Sequence, residues 1–199
     1  MRNLRRWQTV VDNVLANYAY VGLMAAVTIF LTPLYVRTLG PIEWGVVALC
    51  LTVQAVLFLL DAGLGQVAPR EFASVTNDRL AQWRLYLRFR GLYAKLALLA
   101  MALGQLVVGP LLSSSELAGV DSAEWALRLV LVQFSLTFAN LGPLGLWNGL
   151  QQQRLANVRQ ASFLMAKHGV ALLLLLNWKA EAWVYVLPFV AVGLLEVWL

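Results

Sequence analysis

The chain has 199 residues, of which 61% are hydrophobic and only 13% charged, whereas soluble domains average about 45–50% apolar and about 25% charged. So few polar residues cannot cover so large an apolar fraction in water, which excludes a soluble globular enzyme, a disordered chain and a nucleic-acid module. The formal net charge of +5 then reads as the positive-inside bias of a membrane protein. A single cysteine, Cys50, excludes a disulfide framework and a cysteine metal cluster, and the one histidine, His168, speaks against a histidine-based metal or catalytic centre. No cofactor and no nucleic-acid partner are implied.

A membrane helix needs about 20 mostly apolar residues, and six such stretches follow one another. Arg2, Arg5 and Arg6 precede the first, 14–36. That stretch is long enough to span and lacks a small-residue cleavage site, so it reads as a permanent helix rather than a signal peptide. Thr38-Leu39-Gly40-Pro41 predicts a tight helical hairpin, with Gly accepting the left-handed cap and Pro opening the next helix. The second span is 44–67. The segment from Ala68 to Arg90 carries Arg70, Arg79, Arg84, Arg88 and Arg90 with Asn77, Trp83 and Tyr86. It reads either as a helix lying at the membrane interface or as a solvated loop. The third span is 91–112, followed by a loop, Ser113 to Glu124, with no Lys or Arg. The fourth is 125–148, the fifth 158–176 and the sixth 183–199.

The apolar runs are continuous rather than alternating, which favours helices over a barrel. The fold class is therefore all-α: a polytopic membrane bundle of about six transmembrane helices, without a soluble domain. Ten basic residues fall on one side of this arrangement and two, Arg37 and Lys179, on the other. The positive-inside rule places the first side, with the N-terminus, in the cytoplasm.

Charges within spans are functional candidates by default. Lys95 and Arg128 each lie about one turn from a span end, from where a long side chain can snorkel. Lys167 stands roughly 13 Å from either end of its span at 1.5 Å per residue, with His168 beside it. It should face a water-filled cavity or a carboxylate partner, for which Glu196 is a candidate. Asn157, Gln160 and Lys167 share one stripe. Asn13 with Asn17, Cys50 with Gln54 and Asp61, and Gln133 with Thr137 and Asn140 form others. These stripes read either as a hydrated interior or as interhelical hydrogen bonding. Lys167, His168, Arg128, Lys95, Gln160 and Asn157 are thus the substrate-cavity candidates. Asp61 and Arg70 read as a structural lock or a gate. Pro33, Pro143 and Pro188 can bend their helices.

Three segments carry a resemblance: Leu31-Thr32-Pro33-Leu34-Tyr35-Val36-Arg37-Thr38-Leu39-Gly40 followed by Glu43-Trp44-Gly45; Asp61-Ala62-Gly63-Leu64-Gly65 followed by Pro69-Arg70-Glu71; and Gly149-Leu150-Gln151-Gln152-Gln153-Arg154 to Asn157. The chain resembles the oligosaccharide flippases of bacterial polysaccharide biosynthesis, within the superfamily of multidrug, oligosaccharidyl-lipid and polysaccharide exporters. The strongest part covers about the first 75 residues. The resemblance implies one six-helix lobe of a two-lobe transporter in the bacterial inner membrane, the N-terminal half, completed by a second lobe or by a homodimer. It implies transport rather than enzymatic chemistry, and a polyprenyl-pyrophosphate-linked oligosaccharide as substrate, an anionic partner alongside the membrane lipids. Two alternatives stay open: a cation-coupled multidrug exporter of the same superfamily, and an inactive truncated fragment that inserts without moving lipid.

Overall fold

The computed structural model describes residues 2–61, 63–113 and 120–198, and side chains for all of these except 2–9, 60 and 64. The side chains of Arg2, Arg5, Arg6 and Leu64, the residues Ala62 and Leu199, and the loop residues 114–119 lie outside this description. Among the described residues there are seven α-helices, one 3-10 turn and no strand. They are α1 (Arg2–Phe58), α2 (Leu64–Ser74), α3 (Arg79–Ser113), α4 (Asp121–Ala139), α5 (Leu141–Gly149), α6 (Gln153–Asn177) and α7 (Ala182–Trp198), with the 3-10 turn at Leu59–Asp61. The protein is an all-α bundle. Four helical stretches, Val10–Phe58, Arg79–Ser113, Asp121–Gly149 and Gln153–Asn177, are long and apolar enough to cross a membrane, and α7 is a shorter apolar helix.

α1 is two rods joined at Gly40, whose φ of 75° and ψ of 173° leave the helical region. A left-handed φ suits Gly, and Pro41 then starts the second rod with its φ already fixed. The partners of each rod show that the chain reverses there. Asn13 and Asn17 bond to Gln151 and Gln153 near the start of α6, and Tyr35 reaches His168 farther along it, so the first rod runs parallel to α6. The second rod runs the other way, beside α4: Glu43 meets Ser122 near the start of α4, and Phe58 meets Phe134 lower down.

Glu43 ties one end of the bundle. One carboxylate oxygen accepts the Ser122 hydroxyl at 2.8 Å, and the other accepts the Ala182 backbone N–H at 2.6 Å. Ala182 opens α7, so the carboxylate satisfies an N–H that has no intrahelical partner and sits where the α4 and α7 dipoles favour negative charge. Below it lies an apolar cluster that includes Tyr35, Val46, Val47, Cys50, Ala126, Leu127, Val130, Val184 and Val186.

The opposite end is organised by aromatic rings and close backbone approach. Ring contacts run from Phe58 to Phe134, Phe138, Tyr93, Phe89 and Phe72. The second predicted span does not continue through this region. Helix α1 stops at Phe58, Gly63 takes a φ of 85°, and α2 begins at Leu64. Both Asp61 carboxylate oxygens accept the Gly65 N–H, at 3.0 and 3.1 Å. The Asp-x-Gly-x-Gly pattern therefore marks the end of one helix and the start of the next. α2 folds onto α5, so this part of the segment is a packed helix rather than a solvated loop. Its Ala68 and Phe72 are fully buried, opposite Gly145 and Gly149, where an added Cβ would fall 2.8 Å from Ala68 Cβ and 2.6 Å from both Phe72 Cβ and the Pro69 carbonyl oxygen.

α3 then starts at Arg79, twelve residues before the predicted third span. Its 35 residues extend about 52 Å at 1.5 Å per residue, beyond the roughly 30 Å hydrocarbon core of a bilayer. The extra turns carry Arg79, Arg84, Arg88 and Arg90. Asp78 starts the helix, accepting the N–H groups of Leu80 and Ala81 at 2.9 and 3.0 Å. The fourth predicted span is likewise divided. Pro143 has no N–H to give the carbonyl four residues back, and α4 gives way to α5 at Asn140.

The α2–α5 approach makes a quantitative prediction. Gly149→Ala would press a methyl group against the Pro69 carbonyl, and overpacking of this kind costs about 1–3 kcal/mol. Gly22 has nothing within 4 Å of an added Cβ, so Gly22→Ala should leave stability unchanged or raise it. Thermal unfolding in detergent distinguishes the two. Equal melting temperatures for both variants would contradict the packing.

Candidate functional site

A cavity of about 890 Å³ opens at the basic end of the bundle. The start of α3 supplies Arg79, Gln82, Trp83, Tyr86 and Arg90. The spacing of three, one, three and four residues keeps these five on one helical face. The α4–α5 junction supplies Asn140, Pro143, Leu146 and Trp147; α6 supplies Arg159; and α7 supplies Leu194, Val197 and Trp198. Three arginines and four large aromatic residues line the cavity, and none of its lining residues is acidic.

These side chains are held from behind. The Gln82 amide donates to the carbonyls of Val75 and Thr76 at 3.1 and 2.7 Å, fixing the turn before α3. Trp83 and Tyr86 stack with ring centroids 5.6 Å apart. The Arg159 guanidinium lies 5.0 Å from the Trp147 ring centroid and 5.4 Å from that of Phe163, a cation–π arrangement. It also donates to the backbone carbonyl of Glu196. Arg159 is thus positioned by aromatic faces and a neutral carbonyl, and no carboxylate neutralises it among the described residues. Chemically, the cavity offers guanidinium forks suited to phosphate or carboxylate oxygens and ring faces suited to apolar or sugar surfaces.

The candidates named from sequence are dispersed. Lys167 pairs with Glu196 at 2.6 Å, with side-chain exposures of only 15% and 11%. This pair joins α6 to α7, one residue from Val197 of the cavity wall. His168 points elsewhere. Its Nδ1 meets the Tyr35 hydroxyl at 2.9 Å, and it lines a separate cavity of about 210 Å³ with Gln54, Gln133 and Tyr185. Arg128 is engaged by Glu124 at 2.7 Å and by Gln105 at 3.1 Å. Lys95 is exposed on α3 and has no ion-pair partner among the described residues. Asn157 is buried and donates to Asn17 at 2.5 Å. Gln160 is half-buried without a side-chain hydrogen bond among the described residues.

The Asp61–Arg70 lock is not formed among the described residues. Asp61 spends both oxygens on the Gly65 N–H, and the intervening helix carries Arg70 more than a turn farther along, where it is exposed. The buried Tyr93 hydroxyl lies beside Asp61 without completing a hydrogen bond of ordinary geometry.

Arg79, Arg90 and Arg159 were legible in the sequence only as orienting charges. The one-face spacing of Arg79, Gln82, Trp83, Tyr86 and Arg90 marks the first two, and nothing local in the sequence marks Arg159. Comparison of the chain with protein-family models, with curated proteins and with solved structures gives no match.

The Lys167–Glu196 pair generates a test. Removing one partner of a buried pair strands the other charge and costs about 3–5 kcal/mol, whereas replacing both by apolar residues is near neutral. Lys167→Met should therefore lower the unfolding temperature sharply, and adding Glu196→Leu should recover most of the loss. A double variant as unstable as the two single losses combined would show that the pair carries no coupling.

Proposed function

We propose that this chain is a lobe of a membrane transporter that moves a polyprenyl-pyrophosphate-linked oligosaccharide across the bacterial inner membrane for surface polysaccharide assembly. The basic end lies in the cytoplasm in this reading, as the positive-inside rule predicts. The observation that carries it is the 890 Å³ cavity at that end, lined by Arg79, Arg90 and Arg159 with Trp83, Tyr86, Trp147 and Trp198 and by no acidic residue. Its size lies in the upper part of the roughly 300–1,000 Å³ range of ligand pockets.

Each part of the ligand meets matching chemistry. The pyrophosphate is the anion that three guanidiniums attract, more strongly at the edge of a low-dielectric bundle than in water. Sugar rings present apolar faces to the indoles and hydroxyls to the polar part of the cavity wall. The polyprenyl tail stays against the apolar exterior. The work is the passage of a polar head past an apolar barrier, and no bond is made or broken. A cavity without carboxylates is a poor receptor for cationic drugs, which weighs against the multidrug alternative.

The test is binding by the full chain in nanodiscs, read with a fluorescent short-chain polyprenyl-pyrophosphoryl disaccharide. Arg90→Gln and Arg159→Gln should each weaken binding about tenfold, in keeping with loss of one charge-assisted contact, and added salt should weaken it further. Lys95→Gln, on the exposed face of α3, should leave it unchanged. Binding that ignores both arginine variants, or a cationic dye that binds and is displaced by none of these changes, would overturn the reading.

A further inference from the structure

Five polar or charged residues are buried among the described residues: Ser122, Ser135, Asn140, Asn157 and Glu196. Four of them are satisfied within the chain. Ser122 donates to Glu43, Ser135 to the carbonyls of Ala97 and Leu131, and Asn157 to Asn17, while Glu196 takes Lys167. Asn140 is the exception. It is 4% exposed, yet its side-chain amide makes no hydrogen bond among the described residues. The one fully enclosed side-chain polar atom without a partner among the described residues is the Tyr93 hydroxyl, so the Asn140 amide is not sealed into the packing and its unused hydrogen-bonding capacity meets the cavity.

The position of Asn140 explains where a partner would come from. It stands at the α4–α5 break and lines the basic-end cavity. Its backbone is fully engaged: the N–H donates to Leu136 and Thr137, and the carbonyl accepts the Leu144 N–H at 3.2 Å. Only the side-chain amide is left to the cavity. An amide offers donor and acceptor together, the complement of a hydroxyl or acetamido group. For a phosphate it is a weaker receptor than the guanidiniums that share the cavity.

We infer that Asn140 is the specificity-determining residue of this cavity, hydrogen-bonding the neutral sugar ring that adjoins the anionic head of the ligand. The inference rests on the reading of the cavity as a headgroup site and goes beyond it. The arginines hold any lipid pyrophosphate, and Asn140 separates the glycosylated lipid from the bare one. A site built to bond a hydroxyl rejects the analogue that lacks it, since its own polar group is then left unpaired.

The experiment compares two probes on the full chain in nanodiscs: a short-chain polyprenyl pyrophosphate, and the same lipid carrying one hexose on its terminal phosphate. The native chain should prefer the sugar-bearing probe about tenfold. Asn140→Leu, with the same number and branching of side-chain heavy atoms, should erase the preference while retaining the affinity for the bare pyrophosphate, which also reports that the cavity has folded. Asn140→Ala serves as the second variant and should do the same. No preference in the native chain, or a preference that survives both substitutions, overturns the inference. If instead Arg159→Gln leaves both probes bound as tightly as before, the headgroup reading itself fails.

Discussion

Glu196 decides which positive charges remain available. In a low-dielectric interior a lone lysine is costly, and Lys167 lies far from either end of α6. The Glu196 carboxylate neutralises it, and the Glu196 carbonyl takes the Arg159 guanidinium. One residue of α7 therefore fixes two basic residues of α6, with opposite consequences. Lys167 is cancelled and becomes structural. Arg159 meets only a neutral carbonyl and the rings of Trp147 and Phe163, so its charge is kept and directed to the cavity. The seam between α6 and α7 is then both a load-carrying contact and a wall of the site.

The two ends of the bundle are built on different principles. At one end the Glu43 carboxylate gathers the second rod of α1, α4 and α7, and the packing beneath it is apolar. At the other, α2 is wedged against the glycines of α5, α3 is longer than the bilayer core is thick, and a cavity opens between α3, α5, α6 and α7. A bundle drawn together at one end and open at the basic end has the asymmetry that loading a ligand from one side requires. In the proposed reading the charge that orients the chain in the membrane also forms its binding site, because Arg79, Arg90 and Arg159 contribute to both.

Much of the fold was legible in the sequence, and the losses have physical reasons. Long apolar runs gave the helical class, and Gly40-Pro41 gave the reversal, since each of those residues has one strong backbone preference. The exact place of the break after Phe58 was not legible, because Leu59 and Leu60 continue the apolar run; the Asp61–Gly65 pairing and the left-handed Gly63 mark it in the structure. The early start of α3 was hidden by its arginines, which lower local hydropathy without opposing helix formation. The site was harder to see than the fold. Its residues come from four separated segments, and charge alone does not say whether an arginine faces water or a cavity. Lys167 drew attention through its depth, and Glu196, a candidate partner from sequence, is the carboxylate that pairs with it across the α6–α7 seam.

The most direct test of the central claim is to map where a lipid-linked anionic sugar touches this chain. A photoreactive polyprenyl-pyrophosphoryl disaccharide, with the reactive group on the sugar, would be crosslinked to the chain in nanodiscs and the modified peptides sequenced. Labels on the starts of α3 and α6 and on α5, around Trp83, Tyr86, Trp147 and Arg159, are the predicted result. Labels concentrated on the Tyr35–His168 cavity, or spread evenly over the apolar exterior, would contradict it.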